Sequence, residues 1–458
     1  MVEEVNKEMD KTPVEIGTDR QLFVDDFWMA ESTGVERRLH SPVRREAAIS
    51  PEFPWDSGIT AYNTIVLDGC RYRMWYRTDD QYSGNAMLHA YAESADGIVW
   101  EKPTVGLIEY NGSKKNNLVF EGPSDCFAPF IDDNPDAAQD ERYKAVARGP
   151  DRHVLEAYVS ADGLKWRKLR DEPILTDPPF DSHNVAMWDA WRGEYVLYAR
   201  GSAGSGGPFK GGVRWVRRST SEDFLNWTPL VDIDTGETPT EHFYTNSCVR
   251  YERAPGTYIM FPSRFVVERT PDPAWEYGDG VNDILFMSSR DGLRFDRSFK
   301  EAFVRPALDS RNWHERGIYM DVGILHTSPK EMSIYGVENM RYPSVNIRRY
   351  TLRTDGFVSV NAGFGSGEFT TKPLVFEGGE LELNYSTSAV GSVQVEIQDA
   401  EGNVIPEYGL ADCPEKFGDE IDGAMSWKEG PSVGDLAGRV VQLRVVLKDA
   451  DLYAFKFR

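Results

Sequence analysis

The chain is short of cysteine and histidine, of positive charge and of long apolar runs, and each shortage removes a class of protein. Cys70, Cys126, Cys248 and Cys413 are its only cysteines. They form no Cys-x-x-Cys pair and have no histidine cluster nearby, so a zinc pattern is excluded and four buried thiols are expected. Lysine and arginine total 51 against 74 aspartates and glutamates, a formal net charge of −23 at pH 7. That balance argues against nucleic acid or an anionic membrane surface as a partner. No run approaches a membrane span, and the charged first 11 residues lack the apolar centre of a signal peptide. A soluble protein is expected, cytoplasmic as the chain stands, or secreted or periplasmic if a signal peptide has been removed. Helical patterning is missing too: no stretch sustains a 3.6-residue apolar period with caps.

What the chain has is a recurring phrase, Ser-x-Asp-Gly-(Leu/Ile)-x-(Trp/Phe). It reads Ser94-Ala95-Asp96-Gly97-Ile98-Val99-Trp100, Ser160-Ala161-Asp162-Gly163-Leu164-Lys165-Trp166 and Ser289-Arg290-Asp291-Gly292-Leu293-Arg294-Phe295. A copy at Ser221-Glu222-Asp223-Phe224-Leu225-Asn226-Trp227 lacks the glycine, and Arg353-Thr354-Asp355-Gly356-Phe357 is a degraded fifth. The starts at 94, 160, 221, 289 and 353 are separated by 66, 61, 68 and 64 residues. Ahead of each copy run short stretches rich in Tyr, Trp, Val and Ile, joined by turns such as Asp68-Gly69 and Arg192-Gly193. This is strand and hairpin chemistry. Three or four strands per unit, five times over, predict an all-β, five-bladed β-propeller. The phrase itself reads as structural, its Ser and Asp bonding a tight turn and its aromatic plugging the space between blades.

Residues 1–17 read as a disordered lead, 18–362 as the propeller, with Arg20 to Glu31 as the strand that closes its last blade. Beyond the Gly-rich joint at Asn361 to Gly367, residues 363–458 alternate with period two (Val393-Gln394-Val395-Glu396-Ile397), which fits a β-sandwich.

Five blades followed by a sandwich resemble the glycoside hydrolase family 32 arrangement, and the propeller alone resembles family 43. Gln21-Leu22-Phe23-Val24-Asp25-Asp26, Asn111-Gly112-Ser113-Lys114-Lys115-Asn116-Asn117, Asp181-Ser182-His183-Asn184-Val185 and Met287-Ser288-Ser289-Arg290-Asp291-Gly292 resemble a group of bacterial proteins described as family-32-like glycosyl hydrolases. The likeness to that group extends over nearly the whole chain. Family 32 itself carries Asn-Asp-Pro-Asn-Gly, Arg-Asp-Pro and Glu-Cys in its first three blades, and none of these stands in place here. The resemblance therefore implies the fold, and not cleavage of sucrose or fructans.

Innermost strands of a propeller converge on one central funnel, and glycosidic cleavage needs two carboxyl groups flanking the bond. Acids just ahead of each inner strand are Asp56, Asp125, Asp181, Glu241 and Glu315, with Asp321 further in. Asp181 and Glu241 lead as the acid/base pair, because each sits in a polar cluster, with Asp56 or Glu315 as substitutes. His183, Asn184, His242, Tyr244 and Asn246 are expected to bind substrate, Arg264 and Arg316 to grip a carboxylate or sulfate, and Trp55, Trp188 and Trp313 to stack on a sugar. No redox cofactor is required. Asp132-Asp133-Asn134-Pro135-Asp136 could hold a structural calcium, although it lacks the spacing of an EF-hand loop. Gly201 to Gly207 has no following helix or Lys-Ser/Thr, so it is not a phosphate loop and suggests a mobile loop at the funnel mouth.

The expected function is a glycoside hydrolase that removes a terminal sugar from an oligo- or polysaccharide, a step in polysaccharide degradation. Two rivals stay open. One is a propeller that binds carbohydrate without cleaving it, since fold does not settle activity. The other is a sialidase-like enzyme, which would bring Arg264 and Arg316 together with Tyr244.

Overall fold

The computed structural model describes residues 12–78, 87–122, 126–177, 179–203, 212–272, 274–428, 430 and 432–458. Among them there is no α-helix, and the only helical pieces are four 3-10 turns. The protein is all-β. The expectation of four buried thiols fails once: Cys126, Cys248 and Cys413 are buried, but Cys70 is exposed on the turn after Asp68-Gly69.

The chain forms two compact units. The larger spans Ser41–Tyr251 and Gly256–Thr351; the smaller gathers residues 12–40, 252–255 and 352–458.

Five successive groups of strands build the larger unit. Sheet I joins Thr64–Asp68, Arg71–Thr78, Met87–Ser94 and Leu118–Gly122 in that order. Sheet II joins Ala128–Ile131, Tyr143–Arg148, Val154–Ser160 and Arg167–Lys168. Sheet III joins Val185–Asp189, Glu194–Ala203, Val213–Ser221 and Val231–Asp232. Group IV is two three-stranded ladders, one of His242–Phe243, Ser263–Val266 and Val281–Ile284, the other of Val249–Arg250, Tyr258–Met260 and Met287–Ser289. Its strands break at one level, where Phe261 N donates to Asn246 O (3.1 Å) and Leu285 N to Pro262 O (2.9 Å). Sheet V joins Ile318–Met320, Glu331–Glu338, Asn346–Arg353 and Val43–Ile49.

The first strand of sheet I packs beside sheet II, II beside III, III beside IV, IV beside V, and V returns to the first strand of sheet I. A parallel bridge from Thr64 to Val322 makes that last contact. The strand that completes sheet V is Val43–Ile49, not the expected Arg20 to Glu31. Its sequence, Val-Arg-Arg-Glu-Ala-Ala-Ile, gives little apolar signal because most of the strand is exposed.

The recurring phrase is what joins neighbouring sheets. Ser94 Oγ donates to Asp96 Oδ1 (3.0 Å) and accepts from Gly97 N (2.9 Å), while Asp96 Oδ1 accepts from Ile98 N (2.8 Å) and Val99 N (2.9 Å). Those backbone N–H bonds hold the Asp96 carboxyl below its ordinary pKa. The copies at Ser160 and Ser289 bond in the same way. The turn leaves the glycine carbonyl facing the preceding sheet. Trp75 Nε1 of sheet I donates to Gly163 O (2.7 Å), Tyr198 OH of sheet III to Gly292 O (2.6 Å), and Tyr335 OH of sheet V to Gly97 O. Gly163 has φ +74°, and a Cβ there would lie 2.9 Å from Trp75. In the copy without glycine, Phe224 itself takes φ 64° and is buried against Phe130, 5.6 Å between ring centroids.

In the smaller unit the long strand Gln442–Phe457 pairs with Leu381–Gln398, Gly367–Thr371, Val358–Ala362 and Gln21–Leu22. Met29–Thr33 and Val35–Leu39 add at the two sides. Phe23 packs on Phe369 (5.4 Å) and Phe455 (5.8 Å), and Trp28 on Phe455 (5.3 Å). Burying these rings holds residues 18–40 here, so the sequence boundary at residue 18 does not match the units. The disordered lead is also shorter than expected: Val14–Gly17 forms a parallel pair with Leu374–Phe376.

Candidate functional site

A buried asparagine precedes a strand in three of the five groups: Asn63 ahead of Thr64–Asp68, Asn184 ahead of Val185–Asp189, and Asn246 ahead of Val249–Arg250, which opens the second ladder of group IV. Asn63 Nδ2 donates to Thr60 O (3.1 Å) and its Oδ1 accepts from Arg77 N (2.8 Å). Asn184 repeats the arrangement, donating to Phe180 O (2.8 Å) and Ser182 O (2.9 Å) and accepting from Arg200 N (3.4 Å). Asn246 donates to His183 O (2.8 Å) and accepts from Cys248 N (3.1 Å). The two asparagines expected to bind substrate, Asn184 and Asn246, thus direct their amides to the backbone. A buried backbone group needs such a partner.

The residues beside these asparagines come together. Tyr62 lies 5.4 Å from His183 and 6.3 Å from Tyr319, and Tyr244 lies 5.5 Å from Tyr319, ring centroid to centroid. Ser247 Oγ donates to Met320 O (2.7 Å) and sits 3.5 Å from His183 Nδ1. Ser182 Oγ donates to Tyr244 O (2.7 Å), so the segments following Asp181 and Glu241 run side by side. The guanidinium carbon of Arg214 lies 4.6 Å from the Tyr244 ring centroid, and that of Arg316 lies 5.8 Å from it. Sheets I, III and V and group IV all contribute. Tyr62 (φ 80°), Ser247 (φ 45°) and Arg316 (φ 62°) hold left-handed backbone without being glycine. Such strain costs on the order of 1–3 kcal/mol per residue and gathers at functional sites.

Electrostatics separate the members. His183 is fully buried, and burial pulls its imidazole down to about 3, so it is neutral at ordinary pH. Asp321 is buried beside Asn63, whose Nδ2 donates to Oδ1 at 2.9 Å. Burial pushes its carboxyl up to about 7 against the lowering effect of Asn63. His242 accepts from Arg214 N through Nδ1 (3.1 Å), and burial followed by the Arg214 charge lowers its pKa.

The carboxylates expected to do chemistry each have a cation. Asp181 pairs with Arg200. Glu241 pairs with Arg264 (3.4 Å) and with Arg297. Glu315 pairs with Arg316 (3.2 Å) and with Arg341. Asp56 has no exposed surface, and its oxygens accept from Tyr76 OH (2.9 Å), Lys102 Nζ (2.8 Å), Glu52 N (3.2 Å) and Phe53 N (3.3 Å). It braces the turn Pro54–Gly58 against sheet I. Trp55 lies in the same turn, donates to Asn117 Oδ1 (2.8 Å) and stacks on Phe53 (4.8 Å). Arg264 forks onto Asp283 (2.8 and 2.5 Å), and the guanidinium groups over the Tyr244 ring are those of Arg214 and Arg316. Trp188 meets Tyr195 (4.8 Å), and Trp313 is exposed and donates to Ala307 O (2.8 Å). Asp125 and most of Gly201 to Gly207 lie outside the described residues.

No group of three or more His, Cys, Asp or Glu among the described residues could hold a metal ion. Asp132, offered for calcium, is paired with Lys144 and accepts from Tyr195 OH (2.8 Å). An ammonium occupies the place a cation would need. A separate cleft of about 550 Å³ opens beside sheet V, lined by Arg44, Ser50, Arg311, Asn339 and Asn346 among others, and shares no residue with the tyrosine cluster.

Sequence reading missed Tyr62, Tyr319, Ser247 and Arg214. The signal for them in the sequence is the asparagine ahead of a strand in three groups, which a pattern of acids does not contain.

No family model matches the chain. Two Mycobacterium tuberculosis proteins, Uncharacterized protein MT1551 of strain CDC 1551 / Oshkosh and Uncharacterized protein Rv1502 of strain H37Rv, are each 29% identical over 143 residues. The alignment covers 30% of this chain and 40% of theirs. Among solved structures, a glycoside hydrolase has a TM-score of 0.48 at 14% identity, over 68% of this chain and 92% of its own. A family 43 arabinoxylan arabinofuranohydrolase from Bacillus subtilis, in complex with cellotetraose, gives 0.40 at 12% identity, over 88% and 96%. A fructofuranosidase variant from Schwanniomyces occidentalis, complexed with fructosylnystose, gives 0.43 at 10% identity, over 89% and 96%. No helix among the described residues is long and apolar enough to cross a membrane.

Proposed function

We propose that groups I to V are the blades of a five-bladed β-propeller, that the smaller unit is a β-sandwich, and that the protein is a glycoside hydrolase acting in the propeller funnel. One observation carries the reading: residues that stand next to the first strands of four different groups meet at one place. Tyr244, only partly buried and backed by Tyr62 and Tyr319, offers a ring face to a sugar, and Arg214 and Arg316 offer donors. Asp181 and Glu241 are the proposed carboxylate pair, on segments tied together by Ser182 and Asn246, with Glu315 as the third acid at the rim. His183 is a wall residue in this reading, and the substrate is an oligo- or polysaccharide with its terminal sugar in the funnel.

The test is a panel of aryl glycosides and natural polysaccharides, with Asp181→Asn, Glu241→Gln and Glu315→Gln beside wild type. Loss of roughly 10²–10⁴ in rate is expected for the residues that act as acid, base or nucleophile. Full activity in all three variants sinks the assignment.

The second reading is a funnel that binds sugar without cleaving it. The observation favouring it is that all three acids are already held in ion pairs with arginines of this chain. Wild type that binds panel sugars yet hydrolyses none of them decides for this reading.

A further inference from the structure

The charge around the tyrosine cluster has the opposite sign to the protein. The chain as a whole carries −23. Elsewhere around the site, charges balance: Asp181 has Arg200, and Glu241 with Asp283 faces Arg264 with Arg297. At Tyr244 they do not. Arg214 has no carboxylate within ion-pair distance among the described residues, and its guanidinium rests over the rings of Tyr244 (4.6 Å) and Phe265 (5.1 Å). Arg316 and Arg341 share one carboxylate, Glu315. Beside the Tyr244 ring, two guanidinium groups and the one carboxylate that Arg316 shares with Arg341 leave an excess of positive charge among the described residues. The Nε atom of Arg214 is buried and makes no hydrogen bond, and Arg316, whose Nε lies 3.2 Å from Glu315, is held there by left-handed backbone (φ 62°).

A cation at a protein surface needs no partner, but a half-buried one gains by meeting an anion. A planar guanidinium matches the two oxygens of a carboxylate or the face of a sulfate, and tyrosine rings beside it match the apolar face of a pyranose. We propose that the funnel takes an anionic sugar, a uronic acid or a sulfated residue, whose charged group pairs with Arg214 and Arg316. This rests on reading the cluster as a sugar site, and it narrows the substrate class. A neutral glycan would leave the Arg214 guanidinium beside Tyr244 without a carboxylate or sulfate to meet.

The test measures binding of full-length protein to matched ligands by calorimetry: methyl glucuronide and methyl galacturonide against methyl glucoside and methyl galactoside, and galactose 6-sulfate against galactose. The anionic member of each successful pair binds about tenfold or more tightly in low salt, and the gap narrows as ionic strength rises. Arg214→Met and Arg316→Asn, the latter chosen because asparagine accepts left-handed backbone, bring the two members of the pair to similar affinity. Arg214→Lys, which keeps the charge, preserves the preference in part. Equal binding of neutral and anionic sugars by wild type overturns the anionic assignment and leaves the carbohydrate reading standing. Binding of sodium sulfate or acetate with no sugar bound at all overturns both. A preference that survives Arg214→Met and Arg316→Asn overturns the role of these two residues.

Discussion

In the larger unit the turns that carry the recurring phrase, called outer for short, and the strand ends beside the tyrosine cluster, called inner, follow opposite rules. At the outer turns the same three residue types recur because they do the same geometric task. Ser and Asp close the turn, Gly supplies positive φ, and an aromatic of the preceding sheet caps the glycine carbonyl. At the inner ends only an asparagine recurs, and its neighbours differ: Tyr62, His183, and Thr245 with Ser247. Repetition marks the scaffold, and variety beside a repeated anchor marks the place where chemistry differs from sheet to sheet.

The most demanding test of that contrast is the anchor. Asn63→Ala removes the partner of one carbonyl and one N–H, and Asn184→Ala the partner of two buried carbonyls and one buried N–H, so each should lose about 3 kcal/mol of stability in urea unfolding. Equal losses sharpen the contrast. A stable Asn184→Ala protein that fails to bind sugar would break it.

Next is the turn. Gly163→Ala puts a methyl group 2.9 Å from Trp75 at φ +74°, whereas Gly69 has φ +62° and nothing within 4 Å of its Cβ position. About 2 kcal/mol is expected for Gly163→Ala and about 1 kcal/mol for Gly69→Ala in thermal or urea unfolding. The difference isolates the contact between sheets from the backbone strain.

Titration probes the inner ends. The unfolded chain protonates His183 near pH 6.5, but the folded protein resists until about 3, so this group withdraws stability as pH falls below 6.5. Asp321 acts in the other sense. Folded, it keeps its proton up to about pH 7; unfolded, it loses it near 3.8, so its contribution improves as pH falls from 7 toward 4. Between about pH 4 and 6.5 the two nearly cancel. Asp321→Asn should expose a loss of up to about 1.4 kcal/mol per pH unit toward acid, and His183→Gln a gain of similar size. Parallel pH profiles of wild type and both variants would contradict the burial of these groups.

The smallest effect belongs to the repeated acids. Asp96→Ala and Asp291→Ala should each lose about 1 kcal/mol through the turn hydrogen bonds and leave sugar binding unchanged. Weakened binding at either position would place chemistry on the outer turns.

The amino-acid sequence by itself decided that the protein is all-β and where its repeated turns fall. Strand alternation, Asp-Gly punctuation and the Ser-x-Asp-Gly phrase act within a few residues, so they can be read from neighbours in the chain. Tertiary structure decided the rest. Phe23 and Trp28 read as well for one sheet as for another, and only the ring faces of Phe369 and Phe455 draw them into the smaller unit. The polar strand Val43–Ile49 finds its place through backbone bonds to Asn346–Arg353 and through ion pairs of Arg44 with Glu338 and of Glu46 with Arg349, partners from the far end of the larger unit's sequence. Asp56 could be told from Asp181 only by burial, and Arg214 could be found beside Tyr244 only by its position. Contacts between residues tens to hundreds of positions apart depend on the path of the whole chain, and no local pattern encodes that path.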